Sequence, residues 1–517
     1  MISERGPAQK TAAASEQEDI AALAKGGRAN VFGFLLRLAA RMPFLFIAGR
    51  LYGAAILGRY AYAILVIEFS AQLATMGLKR GLAESLAQDD RPPAHVVADA
   101  LVVCLLGCAI VAGLLMVFPQ AMFPNSGING SDRLFPLVIF AIAIADVALA
   151  ACAYRYDIAA TVRARSIIEP WTISIAAGVF FFYSRRDGLI LSYVAAMVAA
   201  LTAALWPLLR HYGLPRGWSP HPARIWRMTQ HNLPLFAADA IEWGTRRLDL
   251  AILGLFAAPY VVGIYYVAQQ IASLPQKLKT SFEPILGPVI TRNIALGNRG
   301  AIARQVSQVG FWIVAAQLGI ALALGIPGEA VMGLVGPNFV GGTGALAALL
   351  AAEVLAAPAV VSEAALVYLA RHKNMLLSLA TIGLQGALTI AFILIGREMS
   401  LPPLYIAALP AIALALALAV GALAKSLLLG HVCGTSVRIW RASLIGAALV
   451  GGGIGAGFTM LPRELEWLKI MPGIPAILAS YCAVVWIIGF GPEDRALFRK
   501  RGPVGPTMSC ESEAGTV

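Results

Sequence analysis

Long apolar runs separated by short polar connections follow one another from about residue 29 to residue 491. A helix needs about 20 mostly apolar residues to cross a bilayer, and fourteen segments approach or reach that length. Their predicted limits are 29–52, 55–77, 94–118, 134–156, 164–184, 188–210, 232–256, 260–285, 307–328, 344–369, 374–395, 402–429, 443–461 and 474–491. The first, second, seventh and eighth segments are the most polar. The pattern predicts an all-α polytopic membrane protein with about 14 transmembrane helices.

The composition supports this interpretation. Of 517 residues, 59% are hydrophobic and 13% are charged, whereas about 25% of a typical soluble chain is charged. Residues 1–28 and 492–517 are polar tails too short to bury a core. The first tail lacks the apolar run of a signal peptide, so we expect it to stay in the cytoplasm.

The distribution of basic residues predicts the orientation. With the N-terminus inside, the inner connections and tails hold 28 Lys and Arg residues and the outer connections hold 8. Lys and Arg are retained on the cytoplasmic side, so both termini are predicted to be cytoplasmic. The net charge of +12 then faces the anionic inner leaflet, and nucleic acid is not needed to explain it.

A short repeat divides the chain. Residues 57–63 and 262–268 both contain Gly-x-Tyr-x-x-Ala, offset by 205 positions. Each copy opens the second helix of a predicted six-helix lobe, and the lobes cover residues 29–210 and 232–430. The cytoplasmic loop 211–231 joins them, and residues 431–491 form two further helices. An even number of helices gives parallel repeats, which predicts a central cavity between the lobes.

Ionisable residues lie inside two of the predicted spans. The first span contains two arginines and the seventh contains five charged residues: Arg37 and Arg41, then Asp239, Glu242, Arg246, Arg247 and Asp249. Each would cost roughly 2.5–3.5 kcal/mol in hydrocarbon. They therefore either line a water-filled cavity that binds an anionic group, or form ion pairs between and within helices, or lie near an interface.

Other spans contain isolated acidic residues that could carry a coupling proton or sodium ion, although a buried hydrogen bond explains each one as well. These residues are Glu68, Asp146, Glu169, Glu353 and Glu363. The cysteines form no CxxC pair, the histidines lie in or beside the inner connections, and Lys425 lacks the glycine of a phosphate-binding loop. We therefore predict no metal site, no cofactor and no enzymatic activity.

Several passages resemble a known family. They are Ile56–Ala63, Met76–Leu78, Asn232–Pro234 and Gly336–Phe339, together with the polar first span. Over residues 29–430 the chain resembles the Wzx-type polysaccharide repeat-unit flippases of the multidrug, oligosaccharidyl-lipid and polysaccharide (MOP) exporter superfamily. The resemblance implies two six-helix lobes around a cavity, in a bacterial inner membrane.

The resemblance also implies a substrate, an undecaprenyl-diphosphate-linked oligosaccharide used for surface polysaccharide or exopolysaccharide. Four arginines are the candidates for binding its diphosphate: Arg37, Arg41, Arg246 and Arg247. The acidic residues of the seventh span make the cavity less cationic than this picture requires. Further partners implied are membrane lipids, which the Gly-rich thirteenth span could help to bind, and a polysaccharide polymerase with its co-polymerase.

Two other functions remain open. A cation-coupled multidrug antiporter of the same superfamily would have this fold, but acidic groups would dominate its cavity. A membrane glycosyltransferase or ligase using the same lipid carrier would carry catalytic carboxylates or arginines on a large outer loop. The longest outer connections, 119–133 and 327–343, hold only Asp132, Arg133 and Glu329, which disfavours the enzyme.

The proposed role of the arginines predicts that Arg41→Ala and Arg246→Ala each abolish export of the surface polymer, because each removes a cation for the diphosphate. The measurement is the amount of polymer on the cell surface. An immunoblot of isolated membranes shows whether the variants still insert. Normal polymer in both variants would exclude these residues from the mechanism.

Overall fold

A computed structural model describes residues 42–280, 290–291, 293–294, 296, 298–462 and 465–491, without the side chains of residues 245–246 and 276–280. Over this part of the chain the regular structure is entirely helical. The α-helices are α1 Gly53–Ala74, α2 Leu78–Gln88, α3 Pro93–Val117, α4 Gly130–Leu134, α5 Val138–Tyr154, α6 Ile158–Thr161, α7 Glu169–Tyr183, α8 Gly188–Tyr212, α9 Pro222–Phe256, α10 Pro259–Thr280, α11 Arg299–Gly325, α12 Gly328–Val335, α13 Thr343–Leu369, α14 Arg371–Glu398, α15 Pro403–Cys433, α16 Ala442–Thr459, α17 Glu466–Ile470 and α18 Gly473–Val484. Short π-helical segments at Ala48–Tyr52, Val162–Ile168 and Val485–Gly489 extend α1, α7 and α18.

Eleven described segments are long and apolar enough to cross a membrane. The chain is therefore an all-α multi-pass membrane protein. Helices α9 and α10, which correspond to the seventh and eighth predicted spans, have 35 and 22 residues but lie outside this set of eleven, because polar and charged side chains interrupt them. The first predicted span is described only from Met42 onward, so its Arg37 and Arg41 lie outside the described residues.

The start of α9 and the presence of α2 differ from the sequence prediction. Helix α9 begins at Pro222, ten residues before the predicted limit of 232, so much of the predicted loop 211–231 is helical. Proline fits the first turn of a helix because it has no N–H to leave unpaired there, and Pro234 lies further along without ending α9. Helix α2 was not predicted. Its 11 residues are too short and too amphipathic to be detected as a span.

A left-handed turn separates α1 from α2. Met76 has φ 49° and Gly77 has φ 75°, which ends the i to i−4 hydrogen-bond pattern and starts a new helix axis. Helix α2 buries Leu78, Leu82 and Leu86. Its exposed face carries Lys79 and Arg80, so two cations are placed just beyond the turn.

Small residues dominate the contact between α13 and α15. Lipid tails are as apolar as leucine, so transmembrane helices associate through close packing that alanine and glycine permit. Buried alanines line both helices, among them Ala345, Ala352, Ala357 and Ala365 on α13 and Ala407, Ala411, Ala413 and Ala417 on α15. This pair forms the most extensive helix–helix contact among the described residues.

The two copies of the Gly-x-Tyr-x-x-Ala sequence meet each other where α1 crosses α10. A Cβ atom on Gly58 would collide with the Pro259 carbonyl and the Gly263 nitrogen, and one on Gly263 would collide with the Ala54 carbonyl. Ala54 and Pro259 are separated by the same 205 positions as the two glycines. The contact is thus reciprocal, as expected for two repeats related by a two-fold rotation.

The connection between α8 and α9 is anchored to the first half of the chain. The Trp218 indole N–H donates to the fully buried Asp99 at 2.8 Å, and Arg91 donates to the same carboxylate at 2.8 Å. Arg91 also donates to Asp89, and this hydrogen bond lowers the pKa of the Asp89 carboxyl. The first residues after α8 are therefore attached to the start of α3.

The glycine contact predicts opposite effects for one substitution at two sites. Gly58→Ala places a methyl group against backbone atoms that cannot rotate away, so we expect a loss of about 1–3 kcal/mol in stability. Gly113→Ala, on an exposed and open part of α3, should be neutral or stabilising by up to about 1 kcal/mol. Thermal unfolding of the purified variants measures both effects, and equal melting temperatures would contradict the proposed contact.

Candidate functional site

A cavity lies between the first half of the bundle and helices α9 and α10. One part has a volume of about 530 Å³ and is lined by α1, α7 and α8 on one side and by Arg247, Tyr266 and Gln270 on the other. A second part of about 500 Å³ extends between α5, the Val162–Ile168 segment and Trp243. Both parts share Glu68, Lys79, Glu169, Tyr193 and Met197. They therefore form one compartment.

A chain of charged side chains runs along one wall of this cavity. Arg165 donates to Glu169 Oε2 at 2.9 Å and also to Asp146. Lys79 Nζ lies 3.6 Å from the second oxygen of Asp146. Arg165 is 18% exposed and Lys79 is 47% exposed. Water in the cavity can therefore reach both cations.

The π-helical segment explains the position of Arg165. A π-turn inserts an extra residue into a helix and re-aims the side chains around it. Within Val162–Ile168, Arg163 is exposed whereas Arg165 is half-buried. Glu169, four residues further, begins α7 and lies on the same side as Arg165, which is the spacing of an i, i+4 ion pair.

Contacts across the cavity join the two halves. Trp243 of α9 stacks on Phe69 of α1, with ring centroids 4.2 Å apart and planes 30° apart. One turn further along α9, the Arg247 guanidinium lies 3.9 Å from the Glu68 carboxylate. These two groups are 32% and 39% exposed. At that distance and exposure the pair is loose and open to competition from another anion.

The charged residues predicted on the seventh span have several different surroundings. Arg247 lines the cavity. Asp239 and Glu242 form ion pairs with Arg80 of α2. Asp249 is fully buried and accepts hydrogen bonds from the Tyr265 hydroxyl and from the Gln269 amide on α10. Asp249 therefore stabilises the α9–α10 contact and is not part of the described cavity lining.

The candidate arginines for anion binding are only partly described. Arg37 and Arg41 precede the described residues, and the side chain of Arg246 also lies outside them. The backbone of Arg246 belongs to α9, next to Arg247. The structure therefore locates one of the four predicted arginines in the cavity wall.

The candidate coupling residues fall into two groups. Glu68, Asp146 and Glu169 all line the cavity. Glu353 and Glu363 lie on α13, away from the described lining. Glu363 accepts a 2.8 Å hydrogen bond from Lys425 of α15, which also donates to Ser378 of α14 at 2.9 Å.

Two cavity cations, Lys79 and Arg165, are absent from the predicted site. Both belong to the 28 basic residues that the sequence assigns to the inner connections and tails. Two signals could have identified them: the i, i+4 spacing of Arg165 and Glu169, and the Met76–Gly77 break just before Lys79. The described lining thus carries three acidic residues, Glu68, Asp146 and Glu169, and three basic residues, Lys79, Arg165 and Arg247.

The fold is that of transporters of the MOP superfamily. A structure of the lipid II flippase MurJ in an inward closed conformation superposes with a TM-score of 0.67 and 11% identity, covering 92% of this chain and 99% of MurJ. An inward-facing multidrug resistance MATE family transporter of the MOP superfamily gives a TM-score of 0.60 and 14% identity, covering 78% and 99% of the two chains. A MATE structure in complex with MaL6 gives 0.54 and 14%, covering 80% and 97%.

A sequence comparison gives a partial family match. Residues 47–294 match the family described as polysaccharide biosynthesis protein, whereas no curated protein sequence matches the chain. The family match and the shared fold together confirm the resemblance predicted from the sequence. The solved structures that share this fold are a flippase and MATE transporters.

The charged wall predicts the effect of removing its shared cation. Arg165→Gln leaves Asp146 and Glu169 facing each other without that cation, so we expect a loss of about 1–3 kcal/mol in stability, less than the roughly 3–5 kcal/mol of a fully buried pair, because cavity water solvates the carboxylates. The measurement is thermal unfolding of the purified protein.

Arg163→Gln is the matched control, since Arg163 is exposed in the same π-helical segment. Adding Asp146→Asn to Arg165→Gln should recover part of the loss, because it removes one of the two repelling charges. Equal melting temperatures for the two single variants would show that the charged wall does not stabilise the fold.

Proposed function

We propose that the protein is a flippase that moves undecaprenyl-diphosphate-linked oligosaccharide repeat units across the bacterial inner membrane by alternating access, for surface or exopolysaccharide synthesis. The observation that carries this proposal is the charged cavity between α1, α2, α5, α7 and α8 on one side and α9 and α10 on the other. Such a cavity offers a polar path through the bilayer.

The cargo poses a solvation problem that this cavity can solve. A sugar chain and a diphosphate would lose their hydration in hydrocarbon at several kcal/mol for each unpaired polar group. A polar cavity keeps the head group solvated while the prenyl tail remains in lipid. The family match to polysaccharide biosynthesis supports a glycan as the cargo.

The basic side chains of the wall supply groups for the diphosphate. Arginine presents a planar fork that donates two hydrogen bonds to phosphate oxygens and stays charged at any relevant pH. Arg165 and Arg247 each lie beside a carboxylate, so a diphosphate would replace a carboxylate as their partner. This exchange permits release as well as binding, because the cation never remains unpaired. Arg37, Arg41 and Arg246 remain proposed members of the same site.

A specific observation also favours a second function, cation-coupled multidrug antiport. Glu68, Asp146 and Glu169 line the cavity, and carboxylates attract cationic drugs and coupling ions. The similarity of fold to MATE transporters is compatible with this alternative. In the flippase, the same carboxylates are the candidates for coupling transport to H⁺ or Na⁺. Glu353 and Glu363 remain further candidates, and a polymerase and co-polymerase remain proposed partners.

The test is translocation in proteoliposomes that contain a fluorescent undecaprenyl-diphosphate-linked oligosaccharide, read as loss of protection from an impermeant quencher. We expect protein-dependent translocation. Arg247→Gln should slow it by roughly tenfold or more, because a charge-assisted hydrogen bond contributes about 1.5–3 kcal/mol. Arg210→Gln, an exposed arginine at the end of α8, should leave the rate unchanged.

The opposite pattern would favour the antiporter. In that case a pH or sodium gradient would drive uptake of a fluorescent cationic dye into the same vesicles, while the lipid-linked oligosaccharide would stay in its original leaflet. Loss of dye transport on Glu68→Gln would then assign the acidic wall to cation transport.

A further inference from the structure

Besides the contacts across the cavity, polar groups of the first half of the chain contact helix α9 on each side of the cavity. At the lower level, near the predicted cytoplasmic side, Arg80 of α2 faces two carboxylates of α9. Its Nε lies 2.8 Å from Asp239 Oδ1, as an ion pair without the alignment of a hydrogen bond, and its Nη2 donates to Glu242. Elsewhere on the same two helices, His231 Nε2 lies 3.5 Å from Glu84 Oε1.

The α2–α9 contact is close at the backbone as well. A Cβ atom on Gly77 or Gly81 would collide with the backbone or side chain of Asn232. Helix α2 follows the left-handed turn at Met76 and Gly77. Helix α2 is therefore a short helix that is connected to α1 by this turn and packs directly against α9.

The upper contact uses a different chemistry. The Asn125 amide, on the connection between α3 and α4, donates to the carbonyls of Gly254 at 2.9 Å and Ala257 at 3.0 Å. These carbonyls belong to the end of α9, where the last turn of a helix has no internal donors. Asn125 thus supplies the missing donor to α9 from the opposite half of the chain.

We propose that these two contacts are the gates of the transport cycle, and that α9 is the element both gates hold. The inner gate is Arg80 with Asp239 and Glu242. The outer gate is Asn125 with the terminal carbonyls of α9. This inference deepens the proposed alternating access and rests on it.

The geometry favours this assignment over purely structural roles. Glu242 and Gly254 both belong to α9, and the rise of an α-helix separates them by roughly 18 Å along its axis. The cavity residues Trp243 and Arg247 lie between them on the same helix. Breaking the lower contact opens the cavity downward and breaking the upper one opens it upward. When the inner gate opens, water can hydrogen-bond to its charged side chains, and when the outer gate opens, water can hydrogen-bond to the terminal carbonyls of α9. Each gate can therefore open reversibly.

Cysteine accessibility tests the gates without any cargo. Ser273 on α10 lines the cavity, so Ser273→Cys is the reporter, in a chain with Cys482→Ser and Cys510→Ser; Cys104, Cys108, Cys152 and Cys433 are buried. A membrane-impermeant maleimide is added to inside-out and to right-side-out vesicles. We expect Arg80→Gln to raise labelling from the cytoplasmic side about fivefold, the change produced by about 1 kcal/mol, and to lower labelling from the outside.

Asn125→Ala should do the reverse, raising labelling from the outside and lowering it from the cytoplasmic side. Arg227→Gln on the exposed part of α9 and Gln120→Ala in the same outer connection are the matched controls and should leave both rates unchanged. A general loosening of the fold would raise both rates together. Labelling shifts in the same direction for both gate variants, or rates equal to the controls, would overturn the proposal.

The result is independent of the cargo. If the gate variants shift labelling in opposite directions while the lipid-linked oligosaccharide is not translocated, the gates stand and the proposed substrate fails. If translocation occurs but the gate variants behave like the controls, the flippase stands and the gates fail.

Discussion

The hydrocarbon core of a bilayer supplies no water to an ionised side chain, and this constraint explains where most charges of the chain lie. A charge that helical register places inside the membrane needs a counter-charge, a set of hydrogen-bond donors or a wet cavity. The chain uses all three. Asp249 has hydrogen-bond donors on a neighbouring helix, Lys425 has a carboxylate and a hydroxyl, and Arg247 lies at the cavity. Because the cations of the cavity wall also have carboxylates beside them, the described wall is electrically balanced.

A balanced wall suits a transporter better than a strongly cationic one. A cavity of one sign would bind an anionic head group tightly and release it slowly, since the free energy of binding would have to be recovered on the other side. In this protein each described cation of the wall lies within 4 Å of a carboxylate. The proposed diphosphate cargo would therefore compete with an internal partner, and its binding and release would differ by an exchange of partners.

Most of the fold could be predicted from hydropathy, because a long uninterrupted apolar run has few structural alternatives. The site could not be predicted to the same depth. Counting basic residues by connection assigned Lys79 and Arg165 to the cytoplasmic surface, since the rule treats any cation near an inner helix end as solvated. The helical spacing of Asp239, Glu242, Arg246 and Asp249, in steps of three, four and three residues, predicts that they share one stripe of the helix. The spacing could not show that Asp239 and Asp249, several turns apart along α9, meet different neighbours, α2 and α10.

The crossing of α1 and α10 at Gly58 and Gly263 also determines how the halves can part. Side chains that interlock must change rotamer before two helices separate, and each such change costs conformational freedom or strain. At the crossing itself main-chain atoms face main-chain atoms, so no side chain at that point has to change rotamer when the proposed gates open. Under the proposed gating, the polar contacts above and below this point would then contribute to the free-energy difference between conformations.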